Sequence, residues 1–531
     1  MEQHSIKNLL KNKPFFMKQK TKKILILCLV FSMISCKLLC QNPGTLDNTF
    51  GTNGTVLTPF FLKDGSQMYF ISTTHLENGN ILVLLNKSVF NKVNSTTIDT
   101  FLLIRFFADG SIDKSFGSNG QVLINFQAEN LLLQQDKKIL ICGQDQKETI
   151  LFRINENGSI DNSFGSNGIL YTGLFQPSSC FFLQSDGKLL IGGSYLSNTK
   201  MLLTRLEKDG TLDIKFGKNG LLPIDFDTLN NPEYLIDIAV QNDNKIVLLG
   251  SVQKSNNIAT LTRLSADGKF DSTFNSTGKQ TLTLSGLYPS KVLILPNKNI
   301  LVGGNFYYNS FTQCNIIISS VFQNGSINKQ FGVNGIRNTN FGGKFNTLHS
   351  ICMQPDGKIL CSGNSDKNFG MLRLTDLGAL DLTFNSTGKV STYFGSQSNS
   401  TALSCNLLSD GKILLSGLSF INDSTTALAL ARYNSGLVLG VDKQYPILNF
   451  KVYPVPAHDH ISLNFTLLQS MDVKISLFNA QGQLIQVLLN SDILNSGYHS
   501  ETIPLNAMPP NVYILEIKGT NFIKRTKVII N

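Results

Sequence analysis

The chain has no tryptophan, only six histidines, and only 15% charged residues among 531. No window approaches the 18 or more apolar residues that a membrane-spanning helix needs. Cysteine is sparse at nine, and proline, at 15, is scarce beside 43 glycines. Each shortage excludes something. Without tryptophan, a sugar site has to stack its ligand on tyrosine. So few histidines leave little room for acid–base or metal chemistry, and no Gly-x-Ser-x-Gly elbow, phosphate loop, dinucleotide fingerprint or Asp-x-Asp-x-Asp-Gly calcium loop is present. His458-Asp459-His460 has one-residue ligand spacing, but it reads as an ordinary loop. No cofactor or metal is expected.

What is present is apolar residue, at 42%, enough to exclude a disordered chain. The length allows about two to four domains. A net charge of +10 suggests an anionic partner until its location is read. Residues 1–40 carry eight lysines against one glutamate, so +7 of the excess belongs to this leader. The rest is nearly neutral, which argues against nucleic acid.

Within the leader, Lys18 to Lys23 precede the apolar run Ile24–Ile34, too short to span a bilayer but suited to a secretory signal peptide. The segment reads as starting at Met17, with residues 1–16 an upstream extension and cleavage near Cys40-Gln41. A loose lipoprotein box at Met33–Cys36 offers acylation of Cys36 as the alternative. Cys142, Cys180, Cys314, Cys352, Cys361 and Cys405 lie beyond the leader. Most stand where sister repeats have Leu or Ile, so they read as small buried hydrophobes. The best disulfide candidate is Cys352 with Cys361, which face each other if Asp356-Gly357 makes a two-residue turn.

Internal repetition decides the architecture. The motif Gly-[Ser/Thr]-[Leu/Ile]-Asp-x-x-Phe-[Gly/Asn]-x-[Asn/Thr]-Gly recurs around Phe50, Phe116, Phe164, Phe216, Phe274, Phe331 and Phe384, 48–66 residues apart. A second motif, apolar-x-x-Asp-Gly-Lys-Ile-Leu-x-x-Gly, is clearest at Asp186–Lys188, Asp356–Lys358 and Asp410–Lys412. Looser copies stand at Asn78–Asn80, Asp136–Lys138, Asp243–Lys245 and Asn297–Asn299. Asp-Gly between apolar runs signals a hairpin, and a third run ends in arginine. Four strands per unit and seven units predict an all-β chain built as a seven-bladed β-propeller, whose radial closure protects sheet edges. A long β-solenoid is the other reading.

The arginine precedes the motif aspartate by eight residues in Arg105/Asp113, Arg153/Asp161, Arg205/Asp213, Arg263/Asp271 and Arg373/Asp381. The sixth copy changes both partners, to Ser320 and Asn328. Joint loss is what a buried ion pair predicts, because one charge left alone costs about 3–5 kcal/mol. At the chain's ends Asp47 has no arginine before it and Arg432 has Gly440 where its aspartate should be. These two are expected to pair and close the ring.

These signatures resemble the delta-sixty repeat family of exported bacterial proteins, a propeller-type repeat without an assigned activity. The resemblance covers roughly residues 41–435, with departures at the sixth copy and at the first hairpin, Asn78-Gly79-Asn80.

After a linker at 441–450, residues 451–531 show alternating strands, among them Ile461–Phe465, Val473–Phe478 and Val512–Ile517. The alternation suits a small immunoglobulin-like β-sandwich. Tyr453-Pro454-Val455-Pro456, Gly482, Gly497, Tyr513 and the ending Lys527–Ile530 resemble the type A sorting domain of the type IX secretion system, with Val455 where that family usually has asparagine. The resemblance implies a bacterium of the Bacteroidetes type and the type IX secretion machinery as a partner. It also implies removal of the domain, with the cargo released or attached to the outer cell surface. The organisation expected is therefore a leader (1–40), a propeller (41–440), a linker (441–450) and a sorting domain (451–531).

Only His75 and His349 fall in the repeats, and His349 is expected to be packed. Tyr307-Tyr308 are irregular against their sister repeats and mark a ligand-loop candidate. The leading reading is a non-catalytic binding or adhesion scaffold for a protein or polysaccharide. The alternatives are an exported propeller hydrolase or lyase acting on polysaccharide, and a purely structural surface protein.

Overall fold

The structure, a computed structural model, describes residues 42–437 and 447–531, apart from 62–66, 92–95, 146–147, 175–177, 195–199, 227–230, 254–256, 283–285, 309–311, 396–398, 423–424, 468–470, 480, 496, 506–507 and 520–522. The leader, its cleavage site and most of the linker lie outside the described residues. The chain divides into two units, Met1–Leu437 and Val438–Asn531. Among the described residues there is no helix; all regular structure is strand.

The first unit holds seven four-stranded antiparallel sheets among its described residues. In the first sheet Gln67–His75, Ile81–Asn91, Thr96–Phe106 and Gln121–Ile124 lie side by side in chain order. The first strands of the following sheets are Gln127–Leu133, Ser178–Leu183, Glu233–Val240, Leu287–Ile294, Asn346–Met353 and Asn399–Leu407. Each packs against the first strand of the next sheet, and that of the seventh returns to the first. These strands therefore surround the centre of a closed ring. Second and third strands are covered by neighbouring sheets on both faces, so Ile246–Val252 and Met201–Leu206 are buried at every position. That explains continuous apolar runs where a half-exposed strand would alternate.

The strand after each Asn-Gly closes the preceding sheet from outside rather than opening its own unit. The seventh sheet accordingly takes its outer strand, Thr55–Phe61, from the chain's beginning, in register from Thr55↔Ala431 to Phe61↔Thr425. For the same reason the sixth motif copy, around Phe331, lies in the fifth sheet.

The Asp-Gly hairpins differ from expectation by one residue. Gln354 N–H donates to Lys358 O at 2.9 Å and Gly357 N–H to Gln354 O at 2.9 Å, so the loop is three residues long. Gly357 takes its left-handed position at φ 83°, and in looser copies Lys137, Asn244 and Lys298 hold it at φ 62–66°. The longer loop sets Ile351, not Cys352, opposite Cys361. The two thiols therefore point to opposite faces, and the Cys352–Cys361 disulfide does not form. All six cysteines among the described residues are free thiols, five of them buried.

Each first strand also carries one β-bulge at the same relative place, from Phe70/Ser72 in the first sheet to Ala402/Ser404 in the seventh. The glycine ending the second motif sits opposite. A Cβ on Gly363 would lie 1.8 Å from Thr347 O, and one on Gly417 1.9 Å from Thr401 O. At these positions the bulged strand's carbonyl comes too close for a side chain, whereas the first sheet carries Leu85 at the equivalent place.

In the second unit a three-stranded sheet (Ile447–Tyr453, His460–Leu467, Gly497–Pro504) and a four-stranded sheet (Leu484–Leu494, Met471–Asn479, Asn511–Gly519, Ile523–Ile530) share one apolar core. Ile461, Leu463, Phe465 and Leu467 enter it on the alternation of a one-sided strand.

Candidate functional site

The repeat's charged residues assemble on the ring face that carries the Asp-Gly hairpins. Arg105–Asp113, Arg153–Asp161 and Arg205–Asp213 approach to 2.7 Å, Arg263–Asp271 and Arg373–Asp381 to 2.8 Å, and Arg432–Asp47 to 2.9 Å. In the last pair Asp47 N–H also donates to Arg432 O at 2.8 Å, repeating across 385 residues the local contact made elsewhere across eight. Each guanidinium lies over the motif phenylalanine, for instance 4.2 Å from the Phe216 ring and 4.7 Å from Phe50. Five of them reach one sheet further. Arg105, Arg205, Arg263, Arg373 and Arg432 donate to the carbonyls of Glu156, Ala266, Gln323, Ser435 and Ala108.

Sequence reasoning missed the third member of five of these six groups; the first sheet has Asn80 in its place. The lysine of the Asp-Gly-Lys motif reaches the same carboxylate: Lys138–Asp161 and Lys188–Asp213 at 2.8 Å, Lys245–Asp271 at 3.0 Å, Lys358–Asp381 at 3.7 Å and Lys412–Asp47 at 3.6 Å. The signal was the recurrence of Lys in register with Arg and Asp. In the fifth sheet all three are neutral, Asn299, Ser320 and Asn328, and Asn328 Nδ2 donates to Ser320 Oγ at 3.3 Å. Burial pushes the Asp213 carboxyl up, but hydrogen bonds from Lys188 and Arg205 outweigh it and hold it below the usual carboxylate range. Asp47, Asp113, Asp161, Asp271 and Asp381 are lowered too. These charges are saturated by one another.

Non-repeating polar residues gather elsewhere, at the bulges of the first strands of the fourth, fifth and sixth sheets. Asp237 Oδ2 accepts from Val292 N–H at 2.9 Å, and Lys291 Nζ stands 3.8 Å from Oδ1. Burial holds Asp237 above the usual carboxylate range against the pull of Lys291. His349 Nε2 shares a hydrogen bond with Thr347 Oγ1 at 3.0 Å, and burial together with the nearby Lys291 ammonium lowers its pKa. Asp237 and Lys291 carried no sequence signal, because the bulge that places them is invisible without its partner strand.

Tyr307 and Tyr308 end the fifth sheet's second strand, on the ring face away from the Asp-Gly hairpins. Tyr307 meets Tyr288 edge-on at 5.2 Å and Phe345 at 6.2 Å. Tyr308 leans on Phe306 at 4.7 Å and its hydroxyl accepts from Asn338 Nδ2 at 3.0 Å. Tyr288, which precedes Lys291 on the same strand, is 38% exposed. An aromatic shelf thus begins on the strand that carries Lys291.

In the second unit Tyr453 is exposed and its hydroxyl accepts from Asn464 Nδ2 at 2.8 Å; the bonds to Pro454 and Pro456 are cis. Gly482 takes φ 81° in a turn where its N–H donates to Asn479 O at 3.0 Å. Tyr513 is buried, with its hydroxyl 2.9 Å from Pro509 O, and Lys527 pairs with Ile514 on the neighbouring strand. His460 Nδ1 lies 2.8 Å from Asp459 Oδ1 at the surface.

Comparison with known proteins follows the same division. The secretion system C-terminal sorting domain matches residues 451–531. A beta-propeller family described as a domain of unknown function (DUF5122) matches residues 134–164, 184–216, 241–274, 354–384 and 408–438. No curated protein matches the chain. Solved structures of similar fold include virginiamycin B lyase from Staphylococcus aureus, with 8% identity, TM-score 0.39, and 71% of this chain and 99% of that one covered. Drosophila Semaphorin 2a has 8% identity, TM-score 0.39, and 92% and 98% coverage. Pyrococcus horikoshii acylaminoacyl peptidase has 10% identity, TM-score 0.40, and 76% and 58% coverage. The chain thus carries segments that match that β-propeller family and, at 451–531, a match to a secretion-system C-terminal sorting domain, which implies export.

Proposed function

We propose that the protein is a seven-bladed propeller followed by an immunoglobulin-like sorting sandwich, sent out by type IX secretion and released or held at the outer cell surface. The signal peptide at 1–40 and a sorting domain at 451–531 would provide the two membrane crossings. The propeller, 41–440, acts as a non-catalytic binding or adhesion scaffold for a protein or polysaccharide. One observation carries this reading: the repeat's charges are spent on one another, whereas non-repeating Tyr288, Tyr307, Tyr308 and Lys291 collect on the fifth sheet. A tyrosine shelf beside amides and one lysine suits a glycan, stacking ring faces and pairing hydroxyls. The test screens the full chain against glycans and envelope proteins. Saturable binding that weakens about tenfold in Tyr288→Ala or Tyr307→Ala supports the scaffold; turnover of a bound glycan overturns it.

The second reading, a hydrolase or lyase, rests on Asp237, Lys291 and His349 at adjacent bulges. A carboxyl held high and a histidine held low, each within reach of the Lys291 charge, are groups of the kind general acid–base work uses. Turnover abolished by Asp237→Asn would establish it.

A further inference from the structure

Among the described residues, the two cysteines closest to one another are not the pair that the sequence suggested. Cys352, on the first strand of the sixth sheet, and Cys405, on the first strand of the seventh, bring their Sγ atoms to 2.9 Å. That is shorter than the roughly 3.5–4.0 Å of ordinary non-bonded contact between carbon atoms, although sulfur is larger. The strands pack side by side around the ring's centre, so the contact crosses a sheet boundary. Cys405 is 6% exposed, whereas Cys352 is partly open to solvent and can meet a reagent. Cys361 faces away from Cys352 across its own hairpin. No group of three His, Cys, Asp or Glu side chains suited to a metal occurs among the described residues, so a thiolate metal site does not compete for this pair.

We propose that Cys352 and Cys405 form a disulfide once the chain leaves the cytoplasm, stapling the sixth sheet to the seventh, the one whose outer strand closes the ring. The sorting domain implies passage through compartments where disulfides persist. The oxidant required is a disulfide-bearing one, such as a thiol–disulfide oxidoreductase. The Cys352 thiolate attacks its S–S bond and releases one thiol; the Cys405 sulfur then attacks Cys352 Sγ and releases the second. One S–S bond forms in the protein and one breaks in the oxidant. Two electrons pass to the oxidant, and the two cysteine protons end on the released thiols. The hydrogen bond to Cys352 and burial push the Cys405 thiol above its ordinary range, which leaves the more exposed Cys352 to react first. The inference is independent of the ligand reading.

The test treats the full chain with oxidised glutathione, blocks remaining thiols under denaturing conditions and digests without reductant. A linked Cys352–Cys405 peptide pair, two hydrogens lighter than its parts, is the expected result. It should persist in Cys361→Ser and vanish in Cys352→Ser. Reduction should lower the wild-type Tm by about 3–6 °C and leave that of Cys405→Ser unchanged. Full alkylation of Cys352 and Cys405 in the oxidised sample overturns the proposal, as does a link made through Cys361 or a wild-type Tm indifferent to reductant.

Discussion

The third and fifth sheets solve the same structural problem with opposite chemistry. In the third, Lys188, Arg205 and Asp213 form a charged triad under Phe216; in the fifth, Asn299, Ser320 and Asn328 occupy the same places under Phe331 without a charge among them. Both phenylalanines are fully buried and both connections keep their backbone bonds: Asp213 N–H to Arg205 O at 3.0 Å, and Asn328 N–H to Ser320 O at 2.9 Å. The backbone turn and the aromatic plug are therefore what the fold requires. The arginine and aspartate are a matched pair that can be present or absent but not split, whereas the lysine can be missing beside them, as Asn80 replaces it beside Arg105 and Asp113. Buried ion pairs behave this way because desolvation nearly cancels their attraction, while removing one partner leaves the other uncompensated.

Splitting the set should have the largest effect. Asp213→Ala leaves Arg205 buried without its carboxylate and Lys188 with only the more exposed Glu207, and is expected to cost about 3–5 kcal/mol in denaturant unfolding. A loss below about 1 kcal/mol would dissolve the comparison. Converting the whole triad to the fifth sheet's residues, Lys188→Asn, Arg205→Ser and Asp213→Asn together, should cost much less, about 1–2 kcal/mol, mostly for the guanidinium's contact with Phe216. If the triple variant is as unstable as the single one, neutrality in the fifth sheet depends on something local to it.

Acid titration sharpens the contrast next. The six paired aspartates have folded pKa values below the unfolded value, so the unfolded chain binds more protons as pH falls. Their stabilisation is complete above about pH 4 and is lost progressively below it. Urea midpoints measured from pH 6 down to pH 2 should show this fall, with a shallower slope in the triple variant, which lacks one such carboxylate. The smallest effect is expected in the fifth sheet's own hairpin. Lys298 sits at φ 66° where four other copies have glycine, so Lys298→Gly should raise stability by about 0.5–1 kcal/mol, read as a higher Tm. A decrease would mean that the lysine side chain makes a contact worth more than its backbone strain.

Much of this was readable before any coordinates. Arginine and aspartate eight residues apart, lost together in one copy, signal a buried pair, and the orphans Asp47 and Arg432 point at each other from opposite ends of the repeats. Lys188 and its equivalents were equally visible as letters, but Lys188 lies 25 residues from Asp213 and Lys412 meets Asp47 from the other end of the repeats, too far for a spacing rule to join them. The Cys352–Cys361 expectation failed on one residue of loop length, because in a strand a one-residue slip exchanges the faces. Asp237, Lys291 and His349 could not be grouped from sequence, since a bulge exists only relative to its partner strand.

The sequence by itself determined the repeat, its strands, the closure of the first segment on the last, and the charge partition between residues 1–40 and the rest. Those are local or periodic properties: turn chemistry, apolar runs and matched residues that recur at fixed offsets. Only the tertiary structure decided which side chains from different strands meet. It brought Cys352 to Cys405, Lys291 to Asp237, and Tyr307 to Tyr288 and Phe345. The reason is geometric: neighbouring first strands are some fifty residues apart in the chain, and which face each residue presents depends on hairpin length and bulge position together.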